Sequence, residues 1–191
     1  MDDQDLRAAL AELQLTLAPH LDADWGVPAG GLEWSCQETL AHIGHDLLAY
    51  AGQLAARPDD RYLPFDLTVR PGTDPATTLQ IALACGELLA LALAAAGPDL
   101  RAWHWGPADR AGFAAMGVAE ILLHTHDIAT GLGLGLDRTP PPALCAAVLA
   151  RLFPDAPAGD PVRVLLWCTG RGELPGLARR ESWGWRAALS S

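Results

Sequence analysis

The chain has 191 residues, half of them hydrophobic, and a formal net charge of −10 at pH 7. This length is typical of one domain with a sizeable core, and the apolar fraction excludes a disordered chain. The acidic charge, with no window of clustered basic residues, argues against a nucleic acid bound through its phosphates. We therefore expect a single domain over residues 1–191.

The chain also carries features that bear on its location in the cell. The acidic N-terminus MDDQDLRAALAELQ lacks the basic flank and apolar core of a signal peptide. The segment TLQIALACGELLALALAAAG is long enough to span a membrane, but Glu87 in its middle and its small alanine faces favour a buried bundle helix. The four cysteines have no Cys-x-x-Cys spacing, which is typical of a reduced chain. We expect a cytoplasmic protein with no membrane partner.

Helical patterns dominate the first two thirds of the chain. Ser35 and Glu38 form the pattern of a capping box, which predicts where the second helix begins. A stretch rich in Pro, Asp and Arg follows that helix and predicts a long crossover. The alternation in LTVR, from Leu67, is the one weak strand signal. The spacing of apolar residues predicts four long helices, at about Asp2–Ala18, Ser35–Arg57, Pro75–Ala96 and Ala111–Thr130.

The remaining segments predict shorter elements. A Trp-rich connection, RAWHWGPADRAG, leads into the fourth helix. A short fifth helix begins at the three prolines Pro140–Pro142 and runs to about Phe153, and DPVRVLLWCTGR is a last helical stretch. Four long helices with one long crossover favour an all-α fold, an antiparallel bundle with short helical additions at its C-terminal end.

Two predicted helices carry polar side chains within apolar surroundings. In AEILLHTHDIATGLG, Glu120, His124 and Asp127 share one helical face, whereas His126 points to the other side. In ETLAHIGHD, Glu38, His42 and His45 lie within about 60° of one another, with Asp46 just beyond. Two such faces can converge inside a bundle and form a site for a divalent metal. Hydrogen-bonded core histidines are the alternative interpretation of the same pattern.

Three segments together resemble a known family: LEWSCQETLAHIGHDLLAYAGQLAAR, GFAAMGVAEILLHTHDIATGLG and VLLWCTGRGELPG. They resemble the actinobacterial proteins that carry the N-terminal domain of mycothiol-dependent maleylpyruvate isomerase, in the DinB-like superfamily. The resemblance implies a DinB-like four-helix bundle that holds a divalent metal, commonly zinc, with nickel or another metal as alternatives. The implied ligands are His42, Glu120 and His124, and the pattern leaves His126 with a structural role.

The resemblance also implies a chemistry. Two neutral imidazoles and one carboxylate leave zinc with one positive charge and an open position, where a thiol would lose its proton. The implied cosubstrate is mycothiol, and the implied activity is S-transfer or isomerisation of a small electrophile by a metal-bound thiolate. Asp127, His45 and Asp46 are candidates to orient a ligand imidazole. The given chain ends before the C-terminal domain of the two-domain isomerase, so we expect an electrophile other than maleylpyruvate.

Several alternatives stay open at this point. Water at the same position would make a hydrolase, with Glu38 as a candidate base. A non-catalytic metal- or ligand-binding module of the stress response, with a purely structural metal as a variant, is the second alternative. The alanine-rich third helix leaves a homodimer possible.

Other residues have weaker functional interpretations. Arg171 and Arg70 are candidates to hold an anionic substrate or the carboxylate of a thiol cofactor, although each also fits an ordinary surface arginine. Cys36 and Cys168 are expected to be small core residues. Five tryptophans are candidates either to roof a pocket or to pack the C-terminal additions on the bundle: Trp103, Trp105, Trp167, Trp183 and Trp185.

Overall fold

A computed structural model describes residues 1–135 and 139–189 of the chain. Within those ranges the helices confirm the predicted all-α class. A short 3-10 turn, Ala18–His20, follows the first helix, and two strands of two residues each are the extended elements. The described residues form six α-helices: α1 Asp3–Leu17, α2 Cys36–Ala56, α3 Pro75–Ala95, α4 Arg110–Gly131, α5 Pro142–Leu152 and α6 Pro161–Cys168.

Side-chain caps explain where the long helices begin. The Ser35 hydroxyl accepts the Glu38 N–H, and the Glu38 carboxylate accepts the Ser35 N–H, which confirms the predicted capping box of α2. Aspartates accept N–H groups in the same way at α1, α3, α4 and α6, where the caps are Asp2, Asp74, Asp109 and Asp160.

Helix α4 lies at the centre of the bundle. From Gly112 to Ala129 every residue except His126 is buried. A β-carbon added at Gly117 would lie 2.8 Å from Leu89, 3.0 Å from Leu6 and 3.3 Å from Leu47, which belong to α3, α1 and α2. The absence of a side chain at Gly117 therefore lets α4 approach the other three long helices at one level.

The long crossover has a topological cause. Gln37 of α2 donates to Thr78 of α3, and further along Gly44 approaches Ala82, so the two helices run in the same direction. Neighbouring parallel helices need a connection that returns over the whole length of the bundle, and residues 57–74 supply it. Among the described residues, no other segment pairs with residues 67–70 of this crossover, so they form no strand. Instead, Ala102–Trp103 pairs with Pro107–Ala108 in the Trp-rich connection.

The C-terminal additions pack against one side of the bundle. Helix α5 contacts α4 and α6, and the tail returns to the short strand Pro107–Ala108 just before α4, where Ala188 pairs with Ala108. Arg151 of α5 donates to Asp109, the cap of α4. The last helix ends at Cys168, three residues before the predicted end, because Gly170 has φ +71° and turns the chain out of the helical conformation.

Among the described residues, one helix is long and apolar enough to span a membrane: α3, with a mean hydropathy of 1.8. In the structure α3 packs along α2 and α1, as the bundle interpretation predicts.

Candidate metal centre

The two polar faces meet inside the bundle, between α2 and α4. Glu120 and His124 lie one turn apart on α4, and both are buried. His42 faces them from α2, with its ring perpendicular to that of His124 and the ring centroids 5.0 Å apart. The antiparallel packing of α2 and α4 therefore brings the three predicted ligands together.

The candidate ligand atoms lie close to one another, although not yet at the distances of a closed metal site. Glu120 Oε2 lies 3.2 Å from His124 Nε2 and 3.8 Å from His42 Nε2, and all three atoms lie within 4.8 Å of one another. With bonds of about 2.0–2.2 Å, the ligand atoms of tetrahedral zinc are separated by roughly 3.3–3.6 Å. The three side chains fit a divalent metal after small movements.

Each buried ligand of α4 is oriented by a further side chain. Asp127 Oδ2 lies 3.0 Å from His124 Nδ1, so a proton on that nitrogen leaves Nε2 free to bind a metal. The Tyr50 hydroxyl donates to Glu120 Oε1 at 3.2 Å, which leaves Oε2 on the side of the imidazoles. Asp127 thus lies within hydrogen-bonding distance of the candidate ligand His124, and its role in orienting a metal ligand stays a prediction.

Arg171 forms an ion pair with the same Asp127. Its Nε donates to Oδ1 at 2.9 Å, its Nη2 donates to Oδ2 at 2.7 Å, and its Nη1 donates to the Thr169 carbonyl. The predicted role of Arg171 in holding an anionic cofactor remains a prediction. The structure shows that the guanidinium group contacts Asp127, which in turn contacts the candidate ligand His124.

Asp46 and His45 extend the site along α2. Asp46 Oδ2 lies 3.4 Å from His42 Nε2, and Asp46 Oδ1 lies 2.8 Å from His45 Nδ1. His45 Nε2 in turn lies 3.2 Å from an oxygen of Asp66 in the crossover. Asp46 is therefore adjacent to the nitrogen of His42 that faces Glu120, and His45 lies one step further out. His42, His45 and Asp46 form a second group whose atoms are close enough to share an ion.

The electrostatics of the site favour a cation. Burial and the neighbouring Glu120 raise the pKa of Asp46 to about 7. Burial opposes the charged form of His124, but the hydrogen bonds to Asp127 and Glu120 outweigh it and raise the pKa of His124 to about 9. Burial lowers the pKa of His42. The negative charge of the buried carboxylates favours a proton on the imidazole, and the same charge would favour a bound metal cation in place of that proton.

The site opens on the α2 side. The His42 side chain is 26% exposed, against 9% for Glu120 and 10% for His124. The Trp34 ring lies beside His42, with 4.8 Å between the ring centroids. A cleft of about 350 Å³ adjoins His42, and its walls are Trp34, Glu38, Ala41, His42, His45, Leu67, Thr68 and Val69. A small molecule can therefore reach His42 from solvent.

The structure places several other predicted residues outside the centre. His126 points away from Glu120 and His124, and it borders a small cavity beside Glu12 and Thr16 as well as a cleft that Asp127 and Arg171 also line. Arg70 is exposed on the crossover. Cys36 and Cys168 are buried, and burial raises the pKa of both thiols, as expected for core residues.

The tryptophans that the sequence singled out have varied environments. Trp105 is 78% exposed at the tip of the small hairpin. Trp167 is buried and its indole N–H donates to the Ala178 carbonyl, which agrees with a packing role. Trp183 and Trp185 lie side by side in the tail, with 5.7 Å between their ring centroids. The indole against the candidate ligands is Trp34, to which the sequence interpretation gave no role.

Two more residues of the centre were missed. Tyr50 follows His42 and Asp46 at four-residue steps, so the helical spacing alone could have placed it on the same face. Asp66 is exposed on the crossover, where no periodicity indicates that its carboxylate contacts His45.

Comparison with known proteins gives a family for this fold and centre. Residues 6–129 match the model of the mycothiol maleylpyruvate isomerase N-terminal domain. The match runs from α1 into the end of α4, and so includes the three candidate ligands. Neither the curated proteins nor the solved structures gave a significant match.

Proposed function

Since the chain belongs to the mycothiol maleylpyruvate isomerase N-terminal domain family, within the DinB-like superfamily, we propose that it is a metal-dependent thiol transferase or isomerase. A divalent metal, zinc in the first place, would be held by His42, Glu120 and His124. When bound, it would supply the positive charge that stabilises a thiolate at neutral pH.

One observation carries this proposal. Three ligand atoms converge within 4.8 Å of one another in the interior, and a cleft opens directly beside one of them. Structural zinc sites have four protein ligands, whereas catalytic sites have three and an open position. The family model supports a thiol as the occupant of that position, with mycothiol as the proposed cosubstrate.

The surrounding residues have separate roles in the proposal. Asp127 and Tyr50 orient His124 and Glu120. Asp46, beside His42 Nε2, is placed to accept a hydrogen bond from the incoming thiol or substrate. The cleft walls of Trp34, Leu67 and Val69 are apolar, which suits a small, weakly polar electrophile. A cytoplasmic location belongs to the same proposal, because thiols are kept reduced there.

Thiol binding can be tested on protein loaded with cobalt(II), a spectroscopic substitute for zinc. We expect addition of mycothiol, or of N-acetylcysteine as a simpler probe, to produce a saturable sulfur-to-cobalt charge-transfer absorption. The control variant His126→Ala should give the same absorption, since His126 lies on the other side of α4. Loss of thiol on addition of a model electrophile would then separate transfer from binding alone.

If excess thiol does not change the spectrum of the cobalt-loaded protein, the proposed thiol function is wrong, whereas the metal site is not affected by that result. In that case hydrolysis or a non-catalytic metal-binding role would remain.

A further inference from the structure

An ion pair connects the candidate metal centre to the C-terminal part of the chain. Arg171 follows α6 and lies outside the range 6–129 that matches the family. It contacts Asp127, and Asp127 Oδ2 is 3.0 Å from Nδ1 of the candidate ligand His124. Two contacts therefore lead from the C-terminal segment to a metal-facing imidazole.

Two nitrogens of Arg171 bind the two oxygens of the Asp127 carboxylate and so fix its orientation. Arg171 Nε lies 2.9 Å from Asp127 Oδ1, and Nη2 lies 2.7 Å from Oδ2. The side chains are 11% and 4% exposed, so solvent screens the pair little. A forked guanidinium contact sets the plane of the carboxylate, and that plane sets the direction of the hydrogen bond to His124.

Arg171 itself is held in place by its neighbours. Its Nη1 donates to the Thr169 carbonyl, and its guanidinium lies 5.5 Å from the centre of the Trp183 ring. A β-carbon built at Gly30, whose φ is +55°, would lie 3.4 Å from the Cα of Asp127, so the loop before α2 also approaches Asp127 closely. The guanidinium therefore has little freedom to turn away from Asp127.

From these contacts we infer that Arg171 is a positioning residue for the metal centre, acting on His124 through Asp127. The inference rests on the proposed metal at His124. It implies that residues 169–186, which hold Arg171, strengthen metal binding. Because such coupling is reciprocal, bound metal must equally stabilise that segment.

The test compares zinc affinities by competition with a chromophoric chelator. Arg171→Met should bind zinc about 10- to 100-fold more weakly than the wild type, the range typical for loss of a group that orients a ligand. Arg171→Lys should fall between the two, because an ammonium cannot form the fork. Arg180→Met is the matched control: Arg180 stacks on Trp167 at 4.5 Å in the same segment and should leave the affinity unchanged.

Hydrogen exchange on the wild type gives a second measurement, which does not depend on the folding of a variant. Zinc should slow exchange in residues 169–186, with α5 as the internal reference. Equal affinities of Arg171→Met and wild type, or equal exchange with and without bound zinc, would overturn this inference alone. A wild type that binds no zinc would overturn the proposed function as well.

Discussion

Tyr50 contacts the candidate ligand Glu120 at the carboxylate oxygen that does not face the two histidines. It is 7% exposed, and its hydroxyl donates to Glu120 Oε1. Burial raises the pKa of this hydroxyl well above its usual value, so it remains a donor at every physiological pH. Glu120 can therefore turn its other oxygen toward the two histidines without losing a hydrogen bond.

Removal of this hydroxyl should weaken the centre. We expect Tyr50→Phe to lower zinc affinity about tenfold, because Glu120 loses the donor that orients it. The zinc-free variant should also lose about 1–3 kcal/mol of unfolding free energy, the usual cost of a buried acceptor left without its partner. Chelator competition and urea unfolding measure the two effects. Tyr62→Phe, at a tyrosine that is 40% exposed on the crossover, serves as the control, and a Tyr50→Phe variant with unchanged affinity would exclude an orienting role.

The sequence indicates the individual ligands better than it indicates their surroundings. Helical spacing puts Glu120 and His124 on one face because the period of a helix fixes which residues share a side. The pairing with His42 came from the family resemblance, since spacing does not say which turn of α2 meets which turn of α4. Asp66 and Arg171 lie in connections without periodicity, so the sequence does not indicate that they contact His45 and Asp127. Metal binding by these residues stays a prediction.

Helix α4 makes a close contact with the loop before α2 at its C-terminal end. A β-carbon at Gly131 would lie 2.3 Å from the Pro28 carbonyl oxygen and 2.8 Å from Cys36 Sγ. The carbonyl belongs to the backbone and cannot turn aside as a flexible side chain does. The last turn of α4 thus fits against this loop, whose next residues approach Asp127 through Gly30.

Gly131→Ala should therefore destabilise the protein by about 1–3 kcal/mol, because the new methyl group forces the loop or the helix end to move. Urea unfolding of the metal-free protein measures the change. Gly31→Ala is the control, since nothing lies within 4 Å of a β-carbon built there, and its effect should stay within about 0.5 kcal/mol. Equal stabilities of the two variants would contradict the tight contact.

Helix positions were the most predictable elements. Apolar spacing and Ser35 placed α2, and the glycines after Thr130 placed the end of α4. The pairing of Ala102–Trp103 with Pro107–Ala108 was not predicted, because two-residue strands are too short to show alternation.

At the scale of the molecule, the fold joins a family domain to C-terminal additions that the family match does not include. The predicted crossover is present because α2 and α3 run in the same direction. The docking of α5, α6 and the tail could not be predicted, since short helices carry too few apolar residues to identify their partners. Exposed Leu88 and Leu91 on α3, with Leu15 on α1, keep a homodimer among the predictions.

Elemental analysis shows whether His42, Glu120 and His124 bind one metal ion. The chain, purified after growth with added zinc, should carry about one zinc per molecule, as should the His126→Ala control, whereas His42→Ala should carry almost none. A well-folded wild type without metal, or a His42→Ala variant that keeps its full zinc content, would contradict a metal site at these residues.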